Sequence, residues 1–338
     1  MRFPQLRRYL RRFAAAAAVL IGAGLLPAAS PAGAEAAPCQ EQEYRVGGMA
    51  GVLCAPDGAS TIQVLVPGGT YNRAYWTYHA PGKPSYTEAM NRAGYATLVV
   101  DRLGSGASSH PLALGVSAHT QADAVHRVIQ TLRPRFGKVI LGGHSIGSAT
   151  TVFEAAEYHD VDGVLITALA HGINVPGALP VFADLIPANL DPKFRGLGNL
   201  GYLTTRAGGR CLAFFGPGHC GPESRYAAEY DERTKDLAAP GEAIDAVLIG
   251  NLFTGPGITR RITAPVMLVM GGQDYGFCYG ISLVDCSSAE GLLRSEARFY
   301  GGAPSVHAYV VPGFGHSFNF APNVQGYYDA VSAWTGTL

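Results

Sequence analysis

The sequence predicts an α/β fold in which a mostly parallel central sheet is flanked by helices on both faces. Short apolar segments rich in β-branched residues alternate along the chain with longer segments of helical periodicity. This alternation is typical of parallel strands that are joined by crossover helices. The composition agrees with a large buried core, because 48% of the 338 residues are hydrophobic and only 15% are charged.

The individual elements are predicted from side-chain type, from apolar faces and from the proline and glycine residues that end helices and strands. Thr61–Val66 is rich in β-branched residues, and Thr120–Leu132 keeps its apolar side chains on one helical face until Pro134. Pro265 and Gly271 bound another apolar strand. The predicted strands are Tyr44–Cys54, Thr61–Val66, Tyr95–Val100, Val139–Leu141, Val161–Ala168, Val266–Met270 and Ser305–Val311. The predicted helices are Tyr86–Ala93, Thr120–Leu132, Gly147–Tyr158 and Val324–Trp334.

Residues 1–34 have the organisation of a cleaved secretory signal peptide. Five arginines and no acidic residue precede an apolar run, which ends before the small-residue motif Ala32-Gly33-Ala34. The run is interrupted by glycine and proline and is short for a membrane span, so we expect cleavage rather than a stable anchor. We predict a secreted protein, and both the Sec and the twin-arginine export routes fit this segment.

The charge balance excludes several classes of partner. Basic and acidic residues both number 25, so the formal net charge is zero. Loss of the five leader arginines would leave 20 basic against 25 acidic residues, a net charge of −5. A mildly acidic protein has no electrostatic reason to bind nucleic acid or an anionic membrane surface.

Six cysteines lie in the predicted mature chain, which favours three disulfides in an exported protein. Pairing of cysteines that are neighbours along the chain is the simplest connectivity. The predicted pairs are Cys39–Cys54, Cys211–Cys220 and Cys278–Cys286. No pair has the spacing of a zinc knuckle and there is no His-Glu-x-x-His helix, so no metal and no organic cofactor is expected.

A long segment, residues 169–263, separates two predicted core strands. It contains several glycines, prolines and large apolar residues, and a connection of this length is not a plain loop. We predict an inserted cap subdomain that lies over the carboxyl edge of the sheet. The core would then consist of residues 35–168 and 264–338. Peripheral helices away from the site are the alternative interpretation.

The segment Gly143-His144-Ser145-Ile146-Gly147 is a G-x-S-x-G motif between a predicted strand and a predicted helix. In that context the serine projects from a sharp turn, and the two glycines let the strand and the helix approach closely. The N-terminus of the following helix favours negative charge at this point. We therefore predict Ser145 as a nucleophile.

A serine nucleophile needs a base, because its hydroxyl reacts weakly at neutral pH. His316 lies in a glycine-containing loop directly after the last predicted strand and can reach the serine. Asp274 follows the strand Val266–Met270 and can hold the imidazole in the required tautomer. We predict that these two residues complete a catalytic triad with Ser145, and that activity falls when His316 is protonated.

Two backbone N–H groups are needed to bind the oxyanion of a tetrahedral intermediate. Ile146, directly after the nucleophile, is expected to supply one. The other is expected from the Pro-Gly-Gly loop after Thr61–Val66, where Gly69 is the first candidate and Thr70 the second.

With these residues identified, the chain resembles secreted members of the α/β-hydrolase superfamily of the esterase and lipase type. The segment Asp101–Ser108 resembles the D-x-x-G-x-G-x-S loop of these proteins, and the predicted triad occupies the matching positions. The resemblance covers about residues 44–338 and departs at Pro67, where many members have a histidine that braces the oxyanion loop. It implies an α/β-hydrolase fold and acyl hydrolysis, while the substrate stays open.

A small-molecule or lipid-like carboxylic ester is the expected substrate, because the predicted cap is rich in Phe, Leu and Ile. Three aromatic residues after the oxyanion loop are candidates for the substrate pocket and equally for the core. They are Tyr71, Tyr75 and Trp76.

Three other functions stay open at this point. A lactonase would use the same triad. A peptidase or amidase would usually need an acidic side chain that binds the substrate amine. Four acidic residues of the predicted cap could do so. A non-catalytic binding protein is disfavoured because the chain keeps all three triad residues. The four acidic residues are Glu223, Glu229, Asp231 and Glu232.

Overall fold

The computed structural model describes residues 39–196, 200–250 and 256–338, so the predicted signal peptide lies outside the described residues. Ten strands are described: β1 Gln42–Val46, β2 Met49–Cys54, β3 Thr61–Val66, β4 Ala96–Val100, β5 Lys138–His144, β6 Gly163–Thr167, β7 Leu185–Pro187, β8 Leu203–Thr205, β9 Val266–Gly271 and β10 Val306–Val311. Eleven α-helices are described: α1 Ala74–Thr77, α2 Tyr86–Arg92, α3 Ala118–Leu132, α4 Ile146–Tyr158, α5 Val175–Asp184, α6 Arg210–Phe214, α7 Arg225–Thr234, α8 Pro240–Ile249, α9 Pro256–Thr259, α10 Ala289–Glu296 and α11 Gln325–Thr335.

Eight of the strands form one sheet in the order β1-β2-β4-β3-β5-β6-β9-β10. Strand β2 pairs antiparallel with β1 and with β4. The other neighbours in the sheet, from β4 to β10, pair in parallel. The inner strands β4, β6 and β9 are buried along their whole length, as expected when helices cover both faces of a parallel sheet. The predicted fold class is confirmed.

One predicted strand is wrong, because Tyr44–Cys54 is a hairpin of β1 and β2 rather than a single strand. Gly47 and Gly48 form its two-residue turn, with φ of 61° and 87°. Positive φ at both central positions is the geometry of a type I′ turn, which glycine adopts without steric cost. The Gly-Gly pair was the signal that the sequence analysis missed.

Local signals account for the helices that cover the sheet. Ser85 caps α2 and forms a reciprocal capping box with Glu88. Ser117 does the same for α3 together with Thr120, so this helix begins two residues earlier than predicted. The apolar face of α3 packs on the sheet beside α4, which follows β5 after a single residue.

The segment between β6 and β9 contains α5–α9 and the small antiparallel pair of β7 and β8. A buried ion pair ties it to the core, because Arg102 Nη1 lies 2.5 Å from Glu242 Oε1 on α8. The second terminal nitrogen of Arg102 donates to the carbonyl of Leu237 at 2.7 Å. These contacts fasten the inserted segment to the loop that follows β4.

Three disulfides join the predicted cysteine pairs. The Cα–Cα distances are 5.5 Å for Cys39–Cys54, 5.8 Å for Cys211–Cys220 and 5.4 Å for Cys278–Cys286. The second pair lies within the inserted segment and the third follows β9. None of the helices in the described ranges combines the length and the apolar character that crossing a membrane requires.

Candidate active site

The turn between β5 and α4, which we call the nucleophile elbow (residues 143–147), holds Ser145 in a strained conformation. Its φ of 55° and ψ of −120° lie outside the regions that non-glycine residues usually occupy. A Cβ at Gly143 would collide with the backbone of Gly147, and one at Gly147 would collide with the carbonyls of Val66 and Pro67. The two motif glycines therefore allow the close approach of strand and helix that the sequence predicted.

Ser148 and Thr167, which lie outside the motif, hold the elbow in place through hydrogen bonds. The Ser145 N–H donates to the carbonyl of Thr167 at 2.8 Å, at the end of the neighbouring strand β6. The Ser148 Oγ lies 2.8 Å from each of the carbonyl oxygens of Gly143 and Thr167, so its single proton can bind either of them. The sequence analysis missed Ser148 and Thr167, although a serine three residues after the nucleophile is visible in the sequence.

The structure brings the three predicted triad side chains into one row. His316 Nε2 lies 2.8 Å from Ser145 Oγ, and His316 Nδ1 lies 2.7 Å from Asp274 Oδ2. The Asp274 side chain is almost completely buried, while that of His316 keeps 13% of its surface exposed. This arrangement can transfer a proton from the serine hydroxyl to the imidazole and stabilise the resulting imidazolium.

The loop after β9 holds Asp274 by several backbone contacts. Its Oδ1 accepts a hydrogen bond from the Gly276 N–H at 2.8 Å. Its own carbonyl accepts from the N–H groups of Cys278 and Tyr279, at 2.7 and 2.9 Å. Because Cys278 is also tied to Cys286, the disulfide anchors the loop that carries the acid.

The predicted oxyanion donors lie beside the serine. Gly69 and Ile146 both line the cavity into which Ser145 opens. A Cβ at Gly69 would lie 2.9 Å from Cδ1 of Ile146, so the two residues are packed closely together.

The oxyanion loop, which we define as residues 67–72, is braced by the inserted segment. Thr70, which has a φ of 58°, accepts a hydrogen bond on its hydroxyl from Arg210 Nη1 at 2.9 Å. Its carbonyl accepts from the Asp236 N–H at 2.9 Å, and the Asp236 carboxylate binds the Asn72 amide at 2.8 Å. Residue 67 is a proline rather than the bracing histidine that the resemblance would lead one to expect, and these contacts hold the loop in place.

Arg210 is itself held in a buried network. Its Nη2 lies 2.7 Å from Asp231 Oδ1, and its Nη1 also donates to Thr205 at 2.8 Å. The guanidinium stacks over the ring of Tyr71 at 4.4 Å from the centroid. Arg210 is 1% exposed, so its charge is committed to these partners. The sequence analysis did not identify this residue, because no motif surrounds it.

The three aromatic residues proposed as pocket lining lie in the core, which corrects the prediction. Tyr71, Tyr75 and Trp76 are at most 2% exposed and do not line the cavity. Tyr71 hydrogen-bonds Ser317, next to the predicted base, at 2.7 Å, and burial raises its pKa well above the usual value. The three rings pack into an aromatic cluster behind the site, where burial of large apolar area outweighs exposure to a ligand.

His144 lies directly behind the triad rather than in it. Its ring stacks on Tyr75 with 4.1 Å between centroids and lies 5.1 Å from the ring of His316. Burial lowers the pKa of His144 well below its usual value, so the imidazole stays neutral. A neutral ring there places no second positive charge beside His316.

The Asp101–Ser108 segment supports the site from outside. Asp101 accepts hydrogen bonds from the N–H groups of Arg73 and Ala107, each at 2.9 Å, and none of the segment lines the cavity. The same loop donates the Gly106 N–H to Asp236 at 3.1 Å. It therefore connects β4 to the residues that hold the oxyanion loop.

The cavity above Ser145 encloses about 120 Å³ and is mostly apolar. The inserted segment supplies much of its wall from α5, α6 and α8, through Ala178, Val181, Phe214 and Ala246. Asp274 and His316 are the only titratable side chains among its described lining residues. Such a cavity suits an uncharged, apolar group.

The four acidic residues that could anchor a peptide amine do not line this cavity. Asp231 is fully buried against Arg210, and Glu229 pairs with Arg225 on the surface. The positions of these four residues therefore do not support the idea that one of them binds a substrate amine.

Comparison with known proteins identifies the fold. Residues 63–327 match the model of the alpha/beta hydrolase family. The solved structures that resemble the chain include a thermophilic esterase from Thermogutta terrifontis with malate bound, at 17% identity and a TM-score of 0.55 over 88% of this chain and 98% of that one. No curated protein matches the chain.

Two further solved structures show how widely the chemistry varies on this fold. The enol-lactonase from Burkholderia xenovorans LB400 is 13% identical, with a TM-score of 0.58 over 88% of this chain and all of that one. The epoxide hydrolase CorEH is 16% identical, with a TM-score of 0.56 over 88% of this chain and 99% of that one. At these identities the likeness concerns the fold, and the reaction has to be argued from the site.

Proposed function

The chain belongs to the alpha/beta hydrolase family, and we propose that it is a secreted serine hydrolase that cleaves small-molecule or lipid-like carboxylic esters. The observation that carries this proposal is the row of Ser145, His316 and Asp274 at the floor of an apolar cavity. The elbow presents serine, so an ester carbonyl can be attacked by an oxygen nucleophile that a histidine activates.

The mechanism follows from the order of the three side chains. His316 Nε2 accepts the Ser145 proton while Oγ attacks the ester carbonyl, and Asp274 stabilises the imidazolium through Nδ1. His316 then gives the proton to the leaving alcohol, which leaves an acyl-enzyme on Ser145. Water that the same histidine activates attacks this ester and releases the acid.

The N–H groups of Gly69 and Ile146 would bind the oxyanion that forms in both steps. Donors of this kind act most strongly when they are held in place before the reaction, because no reorganisation is then needed. The hydrogen bonds of Arg210 and Asp236 to the oxyanion loop supply that rigidity.

The cavity favours an ester over a peptide. Among the described residues of its wall, Asp274 is the one carboxylate, and His316 already binds it. The apolar residues of α5 and α8 extend to the surface of the inserted segment, where Val175 and Leu179 are each 57% exposed. An acyl chain or an apolar alcohol fits these surroundings, so we propose the inserted segment as the cap that binds it.

Export agrees with the cysteine chemistry. All six cysteines are paired, and disulfides persist in oxidising compartments rather than in the cytosol. Together with the leader-like N-terminal sequence this supports secretion.

The test combines a covalent probe with turnover. The purified protein should gain the mass of one fluorophosphonate adduct and hydrolyse p-nitrophenyl butyrate. Ser145→Ala should lose the adduct and lower kcat by roughly 10⁴-fold or more while melting at an unchanged temperature. His316→Ala should lower kcat comparably, whereas His307→Ala, an exposed histidine on β10, should leave kcat unchanged.

Each other outcome has a meaning. Turnover retained in Ser145→Ala would refute the site. An adduct without ester turnover, together with cleavage of an aminoacyl amide or a lactone, would refute the ester assignment and keep the nucleophile. A folded protein without an adduct would refute serine catalysis.

A further inference from the structure

A second group of chemically active side chains lies where α3, α4 and the loop before β6 meet. His126 on α3, Glu154 on α4 and Asp160 in the loop each direct one nitrogen or oxygen atom to a common point. These atoms lie within 4.8 Å of one another. None of the three residues lines the catalytic cavity. The group is therefore separate from the candidate active site.

Four polar atoms of this group lack hydrogen-bond partners although they are buried, while Asp160 Oδ2 accepts a hydrogen bond from Gln130 Nε2 at 2.5 Å. Both carboxylate oxygens of Glu154, Nδ1 of His126 and Oδ1 of Asp160 are four of the fifteen such side-chain atoms in the described chain. Glu154 has no exposed surface. Buried polar groups normally find a partner, because an unpaired one is costly. Four such atoms at one point make this group a candidate ligand set.

The imidazole is held with its Nδ1 facing the two carboxylates. That atom lies 2.9 Å from Asp160 Oδ2 and 3.7 Å from Glu154 Oε1. The ring stacks on Tyr158 at 3.7 Å, and the Tyr158 hydroxyl donates to Asp123 at 2.6 Å. At 2.9 Å from Asp160 the nitrogen is close enough to share a ligand with it, yet it is not aligned to donate a hydrogen bond.

The guanidinium of Arg133 is committed to other acceptors beside this group. It binds the Asp162 carboxylate at 2.6 Å and donates to the backbone carbonyl of Asp160 at 2.7 Å. None of the ion pairs of Arg133 within the described residues reaches the carboxylate of Glu154 or of Asp160.

We propose that His126, Glu154 and Asp160 form a binding site for a divalent transition-metal ion of the zinc class. The ligands are His126 Nδ1 and one carboxylate oxygen from each acid, and solvent completes the coordination. An imidazole nitrogen with two carboxylates suits Zn²⁺, whereas Ca²⁺ takes oxygen ligands. The side chains of His126 and Asp160 are 25% and 16% exposed, which gives an ion access from solvent.

The site would connect α3 and α4 to the loop that leads into β6. An ion that binds only the folded chain stabilises it by mass action, and α4 is the helix that begins at the nucleophile. The sequence analysis expected no metal, because ligands on two helices and a loop form no contiguous motif. The proposal does not depend on the catalytic activity.

The test measures Zn²⁺ binding to tag-free protein that has been treated with a chelator. Equilibrium dialysis with metal analysis should show one Zn²⁺ per chain, and Zn²⁺ should raise the melting temperature. Glu154→Gln, Asp160→Asn and His126→Asn should each weaken Zn²⁺ binding by more than about tenfold. Ca²⁺ should bind more weakly than Zn²⁺.

A matched control lies on the same two helices. His119 on α3 lies 3.3 Å from Glu157 on α4, and this pair belongs to no group of three candidate ligands in the part of the chain that the structure describes. His119→Asn should therefore leave the Zn²⁺ affinity unchanged. Circular dichroism identifies any variant that fails to fold. Asp160→Asn changes a partly exposed residue and is therefore expected to disturb folding less than Glu154→Gln. Absence of saturable Zn²⁺ binding to the folded protein, unchanged affinity in Glu154→Gln and Asp160→Asn, or tighter Ca²⁺ binding would overturn the proposal.

Discussion

The nucleophile elbow and the oxyanion loop lie against each other beside the cavity, but different parts of the chain hold them in place. The elbow is fixed by residues that are near in sequence or on adjacent strands, namely Gly143, Gly147, Ser148 and Thr167. The oxyanion loop is fixed by Arg210 and by residues near it in the inserted segment, about 140 positions away in the case of Thr70 and Arg210.

This difference separates two kinds of functional requirement. The elbow depends on backbone packing, because a single atom added at either glycine would collide with a neighbouring backbone segment. The oxyanion loop depends on side-chain hydrogen bonds that can be weakened gradually. The inserted segment thus has two proposed roles, since it lines the cavity and also holds one half of the site in shape.

The largest expected effect comes from breaking the elbow. Gly143→Ala should destabilise the protein by about 3 kcal/mol or more, because its Cβ would collide with the Gly147 backbone. It should lower kcat by roughly a hundredfold or more, since displacement of the serine by about 1 Å is enough for that loss. Thermal unfolding and p-nitrophenyl butyrate turnover measure both. The control is Gly137→Ala, where a Cβ would have its nearest neighbour at an ordinary 3.7 Å. Equal effects of the two substitutions would contradict the packing argument.

An intermediate effect is expected from loosening the oxyanion loop. Arg210→Lys keeps a positive charge for Asp231 but loses the planar group that also reaches Thr70 and Thr205. We expect kcat to fall by about tenfold with little change in KM, because the loop acts on the oxyanion rather than on ground-state binding. Fluorophosphonate should still label Ser145.

Exposed Arg206, on the same segment, serves as the control through Arg206→Lys. A change in KM with kcat unchanged, or a loss of stability with kcat unchanged, would show that Arg210 supports only the fold.

The smallest effect is expected from reshaping the cavity wall. Val181→Phe on α5 should narrow the cavity and lower kcat/KM for an octanoyl ester relative to an acetyl ester by about fivefold. Val175→Phe lies on the same helix, is 57% exposed and does not line the cavity, so it should leave the ratio unchanged. Equal ratios in both variants would mean that α5 does not contact the acyl group.

Features that arise from neighbouring residues could be predicted before the fold was known. The elbow was predictable because a strand, a G-x-S-x-G turn and a helix follow one another without interruption. Ser145, Asp274 and His316 could be placed at one edge of the sheet because each follows a strand, and parallel strands end at the same edge. The cysteine pairs were predictable because their partners lie close along the chain.

Tertiary structure alone decided which side chains meet across long distances in the chain. Tyr71, Tyr75 and Trp76 have the same residue types whether they face a ligand or the core, and only the packing shows that they are buried. Arg210 reaches the oxyanion loop, and His126 meets Glu154, through contacts that leave no periodic pattern in the sequence. Strand periodicity and turn residues report local backbone geometry, whereas these contacts depend on how separate elements pack against one another.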